Sequence, residues 1–283
     1  MRNLSMPDSP TQTLYFCCGT REPGVMSVQE VSIGETLKRV FLAGVDPFTV
    51  FARISSRPDG YGPLICMFML VFAYAVSSMV PLPRVFVYSS RANSSGIRVS
   101  VSDGTIRVAE VNATSGFRRV GPLSEEHYAA IYMLALGFGV GAWLSWTLGV
   151  WIGSKIVEGP PVPSSLLSGY ILSYKFYEYV ARSVALTWYL RGVSLIEIVV
   201  VQDTLRVSKI LAFVSAALSS IGGLQMTLNA LMVFFTIWGI VVATGAISRG
   251  YAPLRKAIAG GVVAFLIHSL AQSLIQYLLL ISF

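Results

Sequence analysis

Apolar positions in this chain come in long unbroken runs, separated by short polar punctuation. The run 132–153, YMLALGFGVGAWLSWTLGVWIG, holds no charge. As a helix it crosses a hydrocarbon core of roughly 30 Å. Further runs predict spans at 64–80, 166–190, 224–247 and 257–281, the first bracketed by Pro63 and by Pro81 and Pro83. The stretch 210–247 is too long for one span, and Gly222-Gly223 divides it. The division predicts a half-helix over 210–220 followed by a span over 224–247, with a tight helical hairpin as the alternative.

The intervening polar segments have other periods. Residues 1–30 show no periodic pattern and no signal-peptide core, and read as a disordered tail. Met26 stands a few residues before the first capped helix, and a chain starting there is expected to fold and insert. Ser32 with Glu35 has capping-box spacing, and Asp46-Pro47 supplies an N-cap and N1 proline. Two amphipathic helices are therefore expected over 31–58, lying at the membrane interface or packed on the bundle. Residues 97–101 and 105–109 alternate apolar and polar around Ser102-Asp103-Gly104, which predicts a β-hairpin. Residues 195–201 and 204–207 predict a second strand pair docking on the first. The alternative is a span over 184–201 containing Arg191 and Glu197. The expected fold is an all-α polytopic membrane bundle of about five transmembrane helices with a small exterior β-hairpin insert. The bundle occupies 59–83 and 128–283, and the insert 84–127.

Composition agrees with that class. Of 283 residues 54% are hydrophobic and 12% charged, against about 25% charged in soluble domains. The net charge of +7 fits phosphate-facing flanks of spans, so the partner is a lipid bilayer and not nucleic acid. Cys17, Cys18 and Cys66 form neither a disulfide framework nor a zinc set, and no metal or cofactor is expected. Flanking charges are balanced: Arg53, Arg57, Lys155, Arg249, Arg255 and Lys256 at one end face a similar basic set at the other. The sequons at Asn93 and Asn112, candidate glycosylation sites, favour an outside insert and an inside N-terminus in the cell membrane.

Three groups of residues carry candidate chemistry. Gly137, Gly141, Ser145, Gly149 and Gly153 recur at intervals of four and predict a flat helix-packing stripe. Phe138, Trp143, Trp146 and Trp151 then lie opposite, where Phe138 is expected to tolerate substitution. The GFGVG within this run lacks the strand and acidic residue of a dinucleotide site. Lys175, Glu178 and Arg182 lie at i, i+3 and i+7 inside a span, with Tyr170, Tyr174 and Tyr177 roughly beside them. They read either as mutually satisfied glue between helices or as a polar pathway. Gly260, Ala264, His268, Gln272 and Gln276 form another interval-of-four stripe, with His268 an interhelical hydrogen-bonding residue.

Asp46-Pro47-Phe48-Thr49-Val50-Phe51-Ala52-Arg53, Gly169-Tyr170, Ile237-Trp238-Gly239 and Leu254-Arg255-Lys256-Ala257, in that order, resemble the Yip domain family (Ypt/Rab-interacting proteins), especially divergent prokaryotic members. The resemblance covers about 36–80 and 129–283. It implies five membrane helices, a cytosolic N-terminus and a non-catalytic role through protein partners. The 84–127 insert and Lys175 depart from the family pattern. The first reading is thus a non-enzymatic membrane scaffold with a membrane or exterior protein partner, compatible with homo-oligomers. The alternative is a transporter or channel using Lys175, Glu178, Arg182 and His268. An intramembrane enzyme finds no HExxH or G-x-S-x-G motif, and only His127 and His268 as histidines.

Overall fold

The computed structural model describes residues 31–90, 97–110, 118–157, 164–201, 207–248 and 252–282. The N-terminal tail, Cys17, Cys18, Asn93, Asn112 and Arg249 fall outside the described residues. Five long helices form the bundle: α3 (Tyr61–Met79), α4 (Glu125–Ser154), α5 (Ser164–Tyr189), α7 (Leu224–Ser248) and α8 (Leu254–Ser282). All but α5 are long and apolar enough to cross a membrane. Their outer faces carry large exposed apolar side chains, such as Leu64, Phe68 and Phe72 on α3 and Leu266, Leu270 and Leu274 on α8. An apolar surface of that extent faces lipid, and the chain is a multi-pass membrane protein.

The charged helix α5 is enclosed over its first half, while Val180, Val184 and Trp188 further along are exposed. It packs against α3, α4 and α7, and every residue from Leu167 to Tyr174 is buried. Of its charges Glu178 is buried, the usual arrangement for an ionisable group at membrane depth, while Lys175 and Arg182 are partly exposed.

The glycine stripe faces α8. A Cβ on Gly149 would stand 2.4 Å from the Ala264 carbonyl oxygen, and one on Gly153 would stand 2.4 Å from that of Gly260. Gly141 faces Ile275 and Gly137 faces Leu279, so the two interval-of-four stripes run antiparallel against each other. The opposite side of α4 departs from the expectation. Phe138 and Trp146 are buried, and Trp143 donates Nε1–H to the Ser165 carbonyl at 2.9 Å. Only Trp151 is largely exposed. The reason is that α4 has helices on several sides, so more than one stripe is covered.

Helices α1 (Ile33–Ala43) and α2 (Pro47–Ser56) begin as the sequence predicts, with Ser32 accepting from the Glu35 amide and Asp46 from that of Thr49. Both helices pack on the bundle, α1 against α3 and α5 and α2 against α7, while Ile33, Leu37, Phe41 and Phe48 stay exposed on their outer side. The turn between them reaches Trp238, whose Nε1–H donates to the Gly44 carbonyl at 2.7 Å. Trp238 lies about 15 Å along α7 from Ser248, so the hairpin enters the bundle edge to middle depth. Gly245 gives it room: a Cβ there would meet Pro47 at 2.9 Å.

At the other end lies a five-stranded sheet in the order β2-β3-β5-β1-β4. Its strands are β1 (Val85–Ser90), β2 (Ile97–Ser102), β3 (Thr105–Glu110), β4 (Arg118–Pro122) and β5 (Leu195–Val201). The predicted hairpin is β2–β3, and its turn has positive φ at Asp103 and Gly104 (48° and 74°), matching the twist of the strands. Of the second predicted pair the described residues show one strand, β5, and residues 202–206 lie outside them. β5 runs parallel to both β1 and β3 and sits between them. Val207 instead opens helix α6 (Val207–Ser219), because Ile210, Phe213, Val214 and Ala217 recur with helical spacing and are buried with the sheet's Ile106, Val108, Ile196 and Ile198. A turn with φ of 79° at Gly223 then separates α6 from α7.

Candidate functional site

Polar groups in the bundle are strung along α5 and the facing sides of α3, α4 and α8. Nearest the α1–α2 hairpin, Asp59 is a buried acceptor for three elements. Tyr170 donates its hydroxyl to Oδ2 at 2.5 Å, Arg39 donates Nη1–H to the same oxygen at 3.2 Å, and the Gly62 amide donates to Oδ1 at 2.8 Å. Arg39 also reaches the Arg57 carbonyl at 2.7 Å. Arg39 Nε also pairs with Glu35 Oε1 at 3.3 Å, and the cluster ties α1 to the start of α3 and to α5.

At middle depth, Ser145 meets the second stripe. Its Oγ is 2.7 Å from His268 Nδ1 and donates to the Ala142 carbonyl at 2.9 Å, with Gln272 Oε1 at 3.2 Å. The His268 ring stacks on Trp146 at 4.2 Å and 14° between planes, and Trp146 meets Tyr174 edge to face at 6.0 Å. A serine beside a histidine is also the geometry of a nucleophile and its base. Here, however, both are buried between α4 and α8, where the flanking Gly149 touches the Ala264 backbone.

Lys175 continues the line, its Nζ 5.3 Å from the Tyr174 ring. Glu178, only 2% exposed, receives Lys175 Nζ on Oε2 at 2.6 Å and Arg182 Nη2 on Oε1 at 2.5 Å. The spacing i, i+3 and i+7 seen in the sequence thus becomes a cation–anion–cation chain on one helix face. Arg182 lies over the Tyr179 ring at 5.4 Å, and its Nε is buried without a hydrogen-bond partner in the protein.

Beyond Arg182 opens a cavity of about 370 Å³. Tyr74, Ser77 and Ser78 of α3, Tyr179 and Arg182 of α5, and Gln276 of α8 give it polar groups, while Leu134, Phe138, Leu211 and Leu279 give an apolar wall. Tyr74 stacks on Phe138 at 4.5 Å, and Tyr179 meets both rings edge to face, which fixes one side of the cavity.

The sequence-level candidates therefore separate. Lys175, Glu178 and Arg182 come together, and Gln276 joins Arg182 at the cavity. His268 and Gln272 join Ser145 instead. The three tyrosines do not share one site: Tyr170 reaches Asp59, Tyr174 packs on Trp146, and Tyr177 donates to the Phe41 carbonyl at 2.9 Å. The Asp59 cluster and the α3 hydroxyls escape a reading of the sequence, because nothing in the pattern pairs a loop aspartate with an arginine 20 positions away. Among the described residues no group of three or more His, Cys, Asp or Glu side chains could hold a metal ion. Comparison of the chain with protein-family models, curated proteins and solved structures finds no match.

Proposed function

We propose that this membrane protein is a transporter or channel whose solute pathway follows the polar face of α5, from the cavity at the sheet end past Arg182, Glu178 and Lys175 toward His268. The observation that carries this reading is the charge imbalance at Glu178. One buried carboxylate serves two cations beside a cavity. Helix glue is most economical when charges cancel, whereas here a cavity adjoins the excess cation. The function needs no catalysis, and the sheet stands outside with the N-terminus inside.

A specific observation also supports the scaffold reading. The segments that resemble Yip domains fall at helix junctions: Trp238 bonds Gly44, Pro47 fits on Gly245, and a Cβ on Gly169 would meet Pro63 at 2.2 Å. On that reading the bundle presents its sheet to a protein partner or a second copy, and Lys175–Glu178–Arg182 only pair.

Reconstitution separates the two. Proteoliposomes are assayed for proton, inorganic ion and small-solute flux with the natural chain and with K175L/E178L/R182L. Removing all three charges deletes their desolvation cost along with their attraction, so the variant is expected to fold. A specific flux that vanishes in the folded triple variant upholds transport. A full panel without flux, or flux unchanged by the triple variant, overturns it.

A further inference from the structure

We propose that the cavity beside Arg182 binds a small oxyanion, a carboxylate or phosphate group carried on a compact apolar body. This deepens the transport reading and rests on it for the role of the site, while the binding itself is testable alone.

Charge gives the sign of the ligand. Glu178 commits one oxygen to Lys175 and the other to Arg182, so the three groups carry one formal positive charge in excess. No residue lining the cavity is acidic. The other buried carboxylates are engaged elsewhere, Asp59 by Arg39 and Tyr170, and Glu197 by Arg107. A cation entering here meets like charge, and a neutral solute leaves the excess uncompensated in a low-dielectric interior.

Hydrogen bonding narrows the choice to an oxyanion. Glu178 holds one terminal nitrogen of Arg182 and so fixes the guanidinium, while the arginine side chain stays 29% exposed and lines the cavity. A planar fork of this kind recognises carboxylate and phosphate oxygens. The hydroxyls of Tyr74, Ser77 and Ser78 add neutral polar groups on the facing helix, and Leu134 with Phe138 accommodates an apolar body. The volume of about 370 Å³ lies in the range of small-molecule sites. The same oxyanion can arrive on a free organic acid or on the headgroup of an anionic lipid.

The full chain, purified in an uncharged detergent, is titrated separately with sodium valerate, with inorganic phosphate and with phosphatidylglycerol-doped micelles. Tetraethylammonium chloride at matched ionic strength is the cation control, and binding is read by tryptophan fluorescence and thermal shift. Saturable binding of at least one oxyanion is expected, with none of tetraethylammonium. Arg182→Gln should weaken it roughly tenfold or more, the loss expected for a charge-assisted hydrogen bond. Ser77→Leu keeps all three charges but fills the cavity, and should weaken binding even where Arg182→Gln fails to fold. Saturation by valerate or phosphate identifies a free small molecule as the source, and saturation by phosphatidylglycerol alone identifies a lipid headgroup; either upholds the site. No saturable oxyanion binding, unchanged affinity in the variants that fold, or equal binding of the cation overturns it. Oxyanion binding without flux would retire the transport reading and leave the site standing, and specific flux without oxyanion binding would do the reverse.

Discussion

The α4–α8 contact can be tested one methyl group at a time. Gly149→Ala places a Cβ 2.4 Å from the Ala264 carbonyl oxygen, whereas close C–H···O approaches between helices settle near roughly 3.3–3.6 Å. The obstacle is backbone, which cannot rotate away, so the helices must separate by about 1 Å locally. A gap of that size forfeits roughly a quarter to a half of each dispersion contact it opens. Spread over the few tens of atom pairs around this crossing, the loss is about 1–3 kcal/mol, in line with other overpacked cores. It also strains the neighbouring 2.7 Å contact between Ser145 and His268. At Gly137 the same methyl meets only the end of the Leu279 side chain, at 3.0 Å, which can move. Reversible unfolding in mixed micelles should therefore rank Gly149→Ala and Gly153→Ala well below Gly137→Ala in stability. Leu144→Ala on the lipid-facing side, 56% exposed, should stay close to the natural chain. Equal losses at Gly137 and Gly149, or a larger one at Gly137, would refute the backbone-contact argument.

Two further outcomes follow from other parts of the fold. Asp59→Asn leaves buried Arg39 only the more exposed Glu35, at 3.3 Å, as counter-charge and should cost about 3 kcal/mol, the low end for a broken buried pair, whereas Tyr170→Phe removes one hydrogen bond and should cost about 1–3 kcal/mol. Hydrogen exchange over α1 and α2 reads both, and unchanged protection in Asp59→Asn would remove the anchoring role. For orientation, Asp103→Cys in the β2–β3 turn should react with an impermeant thiol reagent on intact cells, and Ser56→Cys should not. The opposite pattern inverts the proposed topology.

Much of this architecture is legible in the sequence because lipid imposes a simple rule. Uncharged runs of about twenty residues have few alternatives to a spanning helix, and Asp103-Gly104 supplies the positive φ values that a tight hairpin needs. The glycine stripe and the Gly260–Gln276 stripe are each visible as intervals of four. That they face each other is not visible, since nothing local fixes which helices adjoin. The same limit explains β5. Its alternating, β-branched pattern predicts a strand, but insertion between β1 and β3 depends on both inserts emerging at one end of the bundle. Val207 belongs to a helix and not to a strand because a single β-branched residue carries little weight against the helical spacing of Ile210, Phe213, Val214 and Ala217. At the candidate site, the three charges of α5 stand out because charge is rare in a span. Tyr74, Ser77 and Ser78 do not, because hydroxyl groups on an apolar helix look alike whether they face lipid, a neighbour or a cavity.

The transport reading places the solute path beside Gln276, in the cavity that Arg182 lines. The most direct measurement uses proteoliposomes containing Gln276→Cys in a chain whose Cys17, Cys18 and Cys66 are replaced by alanine, treated with a small hydrophilic methanethiosulfonate reagent. Labelling should block the flux, and the same treatment of Leu144→Cys on the lipid-facing side should leave it unchanged. Full labelling of the thiol introduced in place of Gln276 while flux continues, or a block of equal size from the Leu144 position, would contradict a pathway through this cavity.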